Sequence, residues 1–224
     1  MARPRAPTFD HQRASILQAA AQLFAIKGYA STSMAALAKA NGMSKALLYH
    51  YYRDKQHILS DIANSYMDTL LALVAEVDAA PLLPTERLHA LVARFMHTYE
   101  RAQPQHMVLV QDVKFLSAAN RRRIVAKERK VVDAFARAIA VLKPRFRAQA
   151  LQVPLAMILF GMINWTFTWL RPDGKLTYDD MARIVSEIFL TGVLPEPRIA
   201  PRKDLMKRRR TAALTNDSIH GSAR

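Results

Sequence analysis

Residues 43–55 read MSKALLYHYYRDK and set four rings side by side, Tyr49, His50, Tyr51 and Tyr52, between Lys45 and the pair Arg53 and Lys55. A helix starting after Ser44 separates them. Leu48 and Tyr52, four apart, share one face and can pack on Leu37 and Ala38. The opposite face centres on Ala46 and His50, with Leu47 and Tyr49 at its margins. The flanking sequence gives the same grammar. Residues 10–27 repeat apolar side chains at helical spacing up to Gly28, Ser33 is placed to cap a second helix that Gly42 stops, and Ser44 to cap the third. Asp54 is placed to cap a long fourth helix over about 55–77. Two helices joined by a short turn containing Gly form a helix-turn-helix.

Such a motif needs a polyanion to act on, and the charge is placed for one. The formal charge of +15 is concentrated at the ends, with +6 in residues 1–55, +6 in residues 198–224 and +3 between them. That distribution points to nucleic acid, with an anionic membrane surface as the rival. The outward face of the third helix suits a major groove. Ala46 permits close approach, Lys45 and His50 offer donors to base edges, and Leu47 offers an apolar contact. Tyr49 and Tyr51 can donate to phosphates, Lys55 can place its ammonium on the same backbone, and Ser33 adds a hydroxyl at a positive helix end. The alternative for the same residues is a Tyr-rich core helix with solvated charges.

The run GYASTSMAALAKANGMSKALLYHYYRDKQHIL resembles the DNA-binding segment of TetR/AcrR-type bacterial regulators, over residues 12–60. The resemblance implies phosphate contacts from Ser33, Tyr49, Tyr51 and Lys55, and base contacts from Lys45, Ala46, Leu47 and His50, with Ser44 opening the recognition helix. Ala46 stands where the family commonly has Gly, and Tyr51 where it commonly has His.

The rest of the chain is expected to be helical. Amphipathic runs lie at 85–102 and about 177–192, Pro104 sets off a segment at 105–117, a basic helix follows at about 119–142, and residues 146–171 form the most apolar segment, with Pro154 expected to kink or divide it. Six glycines against abundant Ala, Leu, Met, Arg and Lys favour helices over strands. The expectation is an all-α protein of about nine helices. A helix-turn-helix DNA-binding domain (1–55) would join a ligand-binding and dimerisation domain (56–195), followed by a basic, disordered tail (196–224). Family resemblance implies that the last two helices make the dimer. The apolar stretch PLAMILFGMINWTFTWL is 17 residues long, against the ~20 a membrane span needs.

Residues 161–174, GMINWTFTWLRPDG, are similar to a stretch of a TetR subgroup that includes repressors of fatty-acid, steroid and phenylacetate breakdown, members of which respond to CoA thioesters. On that basis Met107, Phe115, Met157, Phe160, Trp165 and Trp169 are candidates to line an apolar pocket, with Asn164 beside them. Arg121, Arg122, Arg123, Lys127 and Lys130 are candidates for the CoA phosphates. The same residues also suit plain core and a solvated helix face, and Asn164 also suits a bond across the dimer.

Enzyme chemistry finds no footing. There is no cysteine, no histidine pair at chelating spacing, no phosphate-binding Gly-rich loop and no G-x-S-x-G elbow. Asp179 and Asp180 are read as helix-start residues. No cofactor or metal is expected. The N-terminus lacks an apolar signal core, so the expected location is the cytoplasm. The expected function is a homodimeric, ligand-responsive repressor of a palindromic operator. The alternative is a constitutive DNA-binding accessory protein without an effector.

Overall fold

The computed structural model describes residues 7–142, 144–171 and 173–193. Among them are ten α-helices, two 3-10 turns and no strand. The chain divides into two units, 1–190 and 191–224; the expected basic tail, 196–224, lies outside the described residues.

Helix α1 (Pro7–Lys27) starts before the expected Asp10 and ends at Gly28, which takes φ 79° and donates to the Phe24 carbonyl. Helices α2 (Met34–Ala40) and α3 (Lys45–Tyr51) carry the anticipated caps. Ser33 Oγ accepts from Ala36 N–H and Ser44 Oγ from Leu47 N–H, each at 3.1 Å. Between them Gly42, at φ 63°, donates to Lys39 while Met43 donates back to Ala38. This left-handed closure satisfies the last carbonyls of α2 and turns the chain into α3 within four residues.

Helix α4 (Lys55–Ala79), capped by Asp54 through a 2.7 Å bond from His57 N–H, runs into the larger part of the molecule. It packs on α1, on α5 (Pro84–Arg101), on α6 (Gln103–Asp112) and on α7 (Ala118–Leu142). Helix α1 in turn packs on α6, so the segment through residue 55 is tied to the following helices along two elements. The core of the larger part is a cluster of rings from three helices. Phe135 (α7) lies 4.9 Å from Phe95 (α5) and 4.7 Å from Phe160 of α9 (Gln152–Asn164).

Pro154 neither kinks nor divides the apolar segment. It stands in the first turn of α9, where its missing N–H has no helical acceptor to lose. The break comes earlier, after the short α8 (Pro144–Ala148). There Ala150 takes φ 54°, Leu151 donates to Phe146 and Ala150 donates to Arg147. This is the same closure as at Gly42, built without glycine. The α8 turn is also why the helices number ten.

After a 3-10 turn (Thr166–Thr168) comes α10 (Tyr178–Val193). Its start is fastened by Asp180, whose carboxylate accepts from the Thr177 N–H and hydroxyl and pairs with Arg183. These bonds hold the carboxyl down at about 2. Asp179 pairs instead with His97 at 2.6 Å.

Helix α4 is the one helix among the described residues long and apolar enough to cross a membrane, and half of its apolar window is buried inside the protein. Helix α9, the core of the stretch compared with a span above, has 13 residues.

Candidate nucleic-acid interface and effector cavity

The four rings divide between core and surface. Leu48 and Tyr52 are fully buried, as are Leu37 and Ala38 beneath them. Tyr52 Oη accepts from Arg13 Nε at 3.2 Å, and the Arg13 guanidinium lies 5.0 Å over the same ring while pairing with Asp61 of α4. Tyr52 therefore pins α3 to α1 and α4.

Ser44, Lys45, Ala46, Leu47, Tyr49 and His50 all face outward, with Leu47 45% and Tyr49 44% exposed. On a seven-residue helix they set an apolar and an aromatic side chain toward solvent, beside Lys45 and His50. Lys45 Nζ sits 5.9 Å above the Tyr49 ring. Tyr51 is half-buried, stacked on Phe9 of α1 at 4.8 Å and 28°, and His50 meets both rings edge-on. Phe9 was not anticipated, because residues 7–9 precede the apolar period that marks α1. Ser33 is exposed at the start of α2, its oxygen engaged by the cap and its hydroxyl hydrogen free to donate.

Lys55 is placed differently from the other candidates. Its ammonium donates to the carbonyls of Tyr29 (2.6 Å), Thr32 (2.7 Å) and Ala30 (3.2 Å), and lies 4.3 Å over the Tyr29 ring. An ammonium has three donors, so a phosphate would have to displace one of these carbonyls. Here Lys55 acts as a strut under the α1–α2 loop, and burial lowers its pKa.

The larger part holds a cavity of about 400 Å³ bounded by α4, α5, α6, α7 and α9. Most of its wall is apolar, including Met67, Leu70, Phe95, Val131 and Phe160. It opens to solvent beside Val110 and Met157, which are 42% and 54% exposed. Its polar corner is formed by Tyr99, His106 and Asn164. Tyr99 Oη donates to Asn164 Oδ1 at 2.6 Å, and the Tyr99 ring stacks on the His106 imidazole at 3.9 Å. His106 Nε2 lies 3.3 Å from the Asn164 carbonyl. Burial pushes the imidazole pKa down to about 4, keeping it neutral, and pushes the Tyr99 hydroxyl up. Glu128 adds a carboxyl whose pKa burial raises.

The anticipated ligand residues are only partly brought together. Phe160, Asn164 and Met157 line the cavity. Met107, Phe115, Trp165 and Trp169 do not. Trp165 and Trp169 are 62% and 52% exposed, because α9 ends at Asn164 and the 3-10 turn throws both indoles outward. Phe115 stacks on Tyr29, 5.1 Å away, instead. Arg121 and Arg122 line a separate groove on α7 with Val125 and Arg129. Lys127 is tied to Asp68 at 2.7 Å and to the Asn64 carbonyl, while Arg123 and Lys130 are exposed. Tyr99, His106 and Glu128 were not anticipated. A lone histidine and a lone tyrosine on amphipathic helices carry no spacing signal of a site. Among the described residues no group of three or more His, Asp or Glu could hold a metal ion.

A capped recognition helix with exposed Leu, Tyr, Lys and His, joined to a helical body with its own cavity, defines a helix-turn-helix regulator with an effector domain. Residues 16–62 match the model of bacterial regulatory proteins of the tetR family, and residues 81–193 match the tetracyclin repressor-like C-terminal domain. The chain belongs to the TetR family of transcriptional regulators and is not an enzyme.

It is 26% identical over 186 residues to the HTH-type transcriptional repressor KstR2 of Rhodococcus jostii RHA1, covering 81% of this chain and 91% of that one. A TetR-family regulator from Bordetella parapertussis 12822 superposes with a TM-score of 0.78 at 32% identity, covering 84% of this chain and 98% of that one. AibR, solved in complex with isovaleryl coenzyme A and operator DNA, superposes with a TM-score of 0.69 at 29% identity, covering 80% of this chain and 98% of AibR.

Proposed function

We propose that this regulator is a homodimeric cytoplasmic repressor that releases a palindromic operator when the acyl or aryl group of a CoA thioester enters the α4–α9 cavity. The observation that carries the reading is the cavity itself. Its volume and its apolar wall with one polar corner suit a small ligand, and a constitutive accessory protein has no use for it. The structural likeness to AibR, solved with a CoA thioester, supports the ligand class.

Helix α7 offers a route for the rest of such a ligand. Glu128 and Val132 on the cavity wall lie seven residues beyond Arg121 and Val125, and so on the same helix face, about 10 Å along the axis. A CoA thioester whose acyl group lies in the cavity can leave its phosphates beside Arg121, Arg122 and Arg129.

On the DNA side Lys45, Ala46, Leu47 and His50 take the base edges, while Ser33, Ser44, Tyr49 and Tyr51 take the phosphates. The dimer covers the outward face of α9 and α10, where Ile158, Trp165, Ile184 and Ile188 are exposed. Two-fold symmetry then presents two α3 helices to successive major grooves.

The test is binding to DNA from upstream of the protein's own gene, at fixed salt against scrambled competitor. It is repeated with free CoA and with aliphatic and aromatic CoA thioesters. Release by thioesters and not by free CoA is expected. Specific binding that survives every thioester keeps the regulator and removes this ligand.

A further inference from the structure

His106 stands where the apolar cavity turns polar, and half of its hydrogen-bonding capacity is unmet. Its Nε2 faces the carbonyl of Asn164, the last residue of α9, where the α-helical hydrogen-bond ladder stops. A carbonyl only accepts, so Nε2 carries the hydrogen and Nδ1 is a bare lone pair. Nδ1 is buried without a hydrogen-bond partner. The ring is also held in place. Tyr99 stacks on it at 3.9 Å, with Phe167 edge-on at 5.5 Å and Tyr66 at 6.0 Å. The imidazole therefore cannot swing its lone pair into water.

The remaining chemistry of the wall narrows what could meet that lone pair. The ionisable groups lining the cavity are Tyr99, His106 and Glu128, with no Lys or Arg among them. A ligand bearing a free carboxylate would face a carboxyl group and a lone pair with no cation to offset its charge, so an acid must enter masked. A hydroxyl, by contrast, is the donor that His106 Nδ1 lacks. Asn164 complements it. Its Oδ1 is occupied by Tyr99, which leaves the amide N–H groups for a ligand carbonyl.

We infer that the cavity selects the thioester of a hydroxylated acyl or aryl acid, whose hydroxyl donates to His106 Nδ1. This deepens the proposed function and rests on its thioester reading.

The test is calorimetric binding of matched pairs to the full chain. Octanoyl-CoA is compared with 3-hydroxy- and 8-hydroxyoctanoyl-CoA, benzoyl-CoA with 4-hydroxybenzoyl-CoA, and each acid also as its methyl ester. In at least one CoA pair the hydroxylated member should bind about tenfold tighter or more. His106→Phe should bring that pair within about twofold, while His106→Gln, which keeps an acceptor, should retain part of the gap.

Equal binding within every pair overturns the inference and leaves the thioester reading standing. A hydroxyl preference seen only among methyl esters, with no CoA derivative bound, removes the thioester reading. A preference that survives His106→Phe overturns the role of Nδ1, and failure of every compound to bind overturns both. Should the variants fail to fold, the 15N resonance of His106 Nδ1 in the wild type decides. It should move upfield with the hydroxylated ligand and not with its parent; identical shifts overturn the inference.

Discussion

Phe115 stacks on Tyr29 with ring centroids 5.1 Å apart and planes 25° from parallel, joining the end of α6 to the loop between α1 and α2. Two residues before Phe115, Val113 lines the cavity. The Phe115 carbonyl accepts from Gln56 in the first turn of α4, and Lys55 beside it holds the Tyr29–Thr32 loop by three carbonyls. A displacement of α6 by a ligand would therefore reach the loop that precedes α2 through this ring contact as well as through Gln56 and Lys55. Phe115→Ala should leave both operator affinity and thioester affinity within about threefold of wild type while lowering the ratio of operator affinities without and with thioester, a ratio that for allosteric proteins is typically about 5–150. Titrating DNA at several thioester concentrations measures it. An unchanged ratio would place the coupling elsewhere.

Tyr49 and Tyr52 differ by three positions and by everything around them. Tyr52→Phe removes the acceptor of Arg13 Nε in a buried setting and should destabilise by about 1 kcal/mol. That corresponds to roughly 2–4 °C in Tm for a chain of this size. Tyr49→Phe should leave Tm unchanged and weaken binding to all DNA sequences alike, since a phosphate contact carries no sequence information. Thermal melts and binding to an operator panel on both variants separate the two roles.

Lys45→Ala and His50→Ala should relax preference at particular base pairs, each by about 1–3 kcal/mol of discrimination. The readout is a panel of single-base operator variants. Uniform weakening across the panel would move both residues from the bases to the backbone.

Ala150 occupies the left-handed position that glycine fills at residue 42. A side chain there is strained by about 1 kcal/mol or more. Ala150→Gly should therefore raise Tm by a few degrees, even though glycine also loosens the unfolded chain. A lower Tm would mean that the Ala150 methyl does more in packing than its exposed position suggests.

The buried imidazole makes stability depend on pH. His106 titrates near 6.5 when unfolded and at about 4 when folded, so between these values the unfolded chain binds the extra proton. Stability from this group is complete above about pH 6.5 and is lost progressively as pH falls to about 4, to a limit of roughly 3 kcal/mol. Denaturant melts from pH 4 to 7 should show a positive slope that His106→Phe flattens.

The sequence alone determined the DNA-binding segment because its information is local. Ser33, Ser44 and Asp54 satisfy N–H groups three residues on, and Gly42 takes without strain a backbone angle that a side chain would make costly. The split of the rings follows from the helical period of about 3.6 residues, read along a helix of seven. A resemblance over a contiguous run was enough for the family. The cavity was another matter. Phe115 and the two tryptophans are as aromatic as Phe160, yet they lie outside it, because where α6 and α9 end decides which way a ring points. His106, Tyr99 and Asn164 are 7 to 65 residues apart and meet only when α5, α6 and α9 pack together. Lys55 looked like a phosphate ligand until three carbonyls from the α1–α2 loop closed around it. Contacts within one helical turn are written in the order of residues. Contacts between helices depend on where each helix stops and on what it packs against, and those are decided by the whole fold at once.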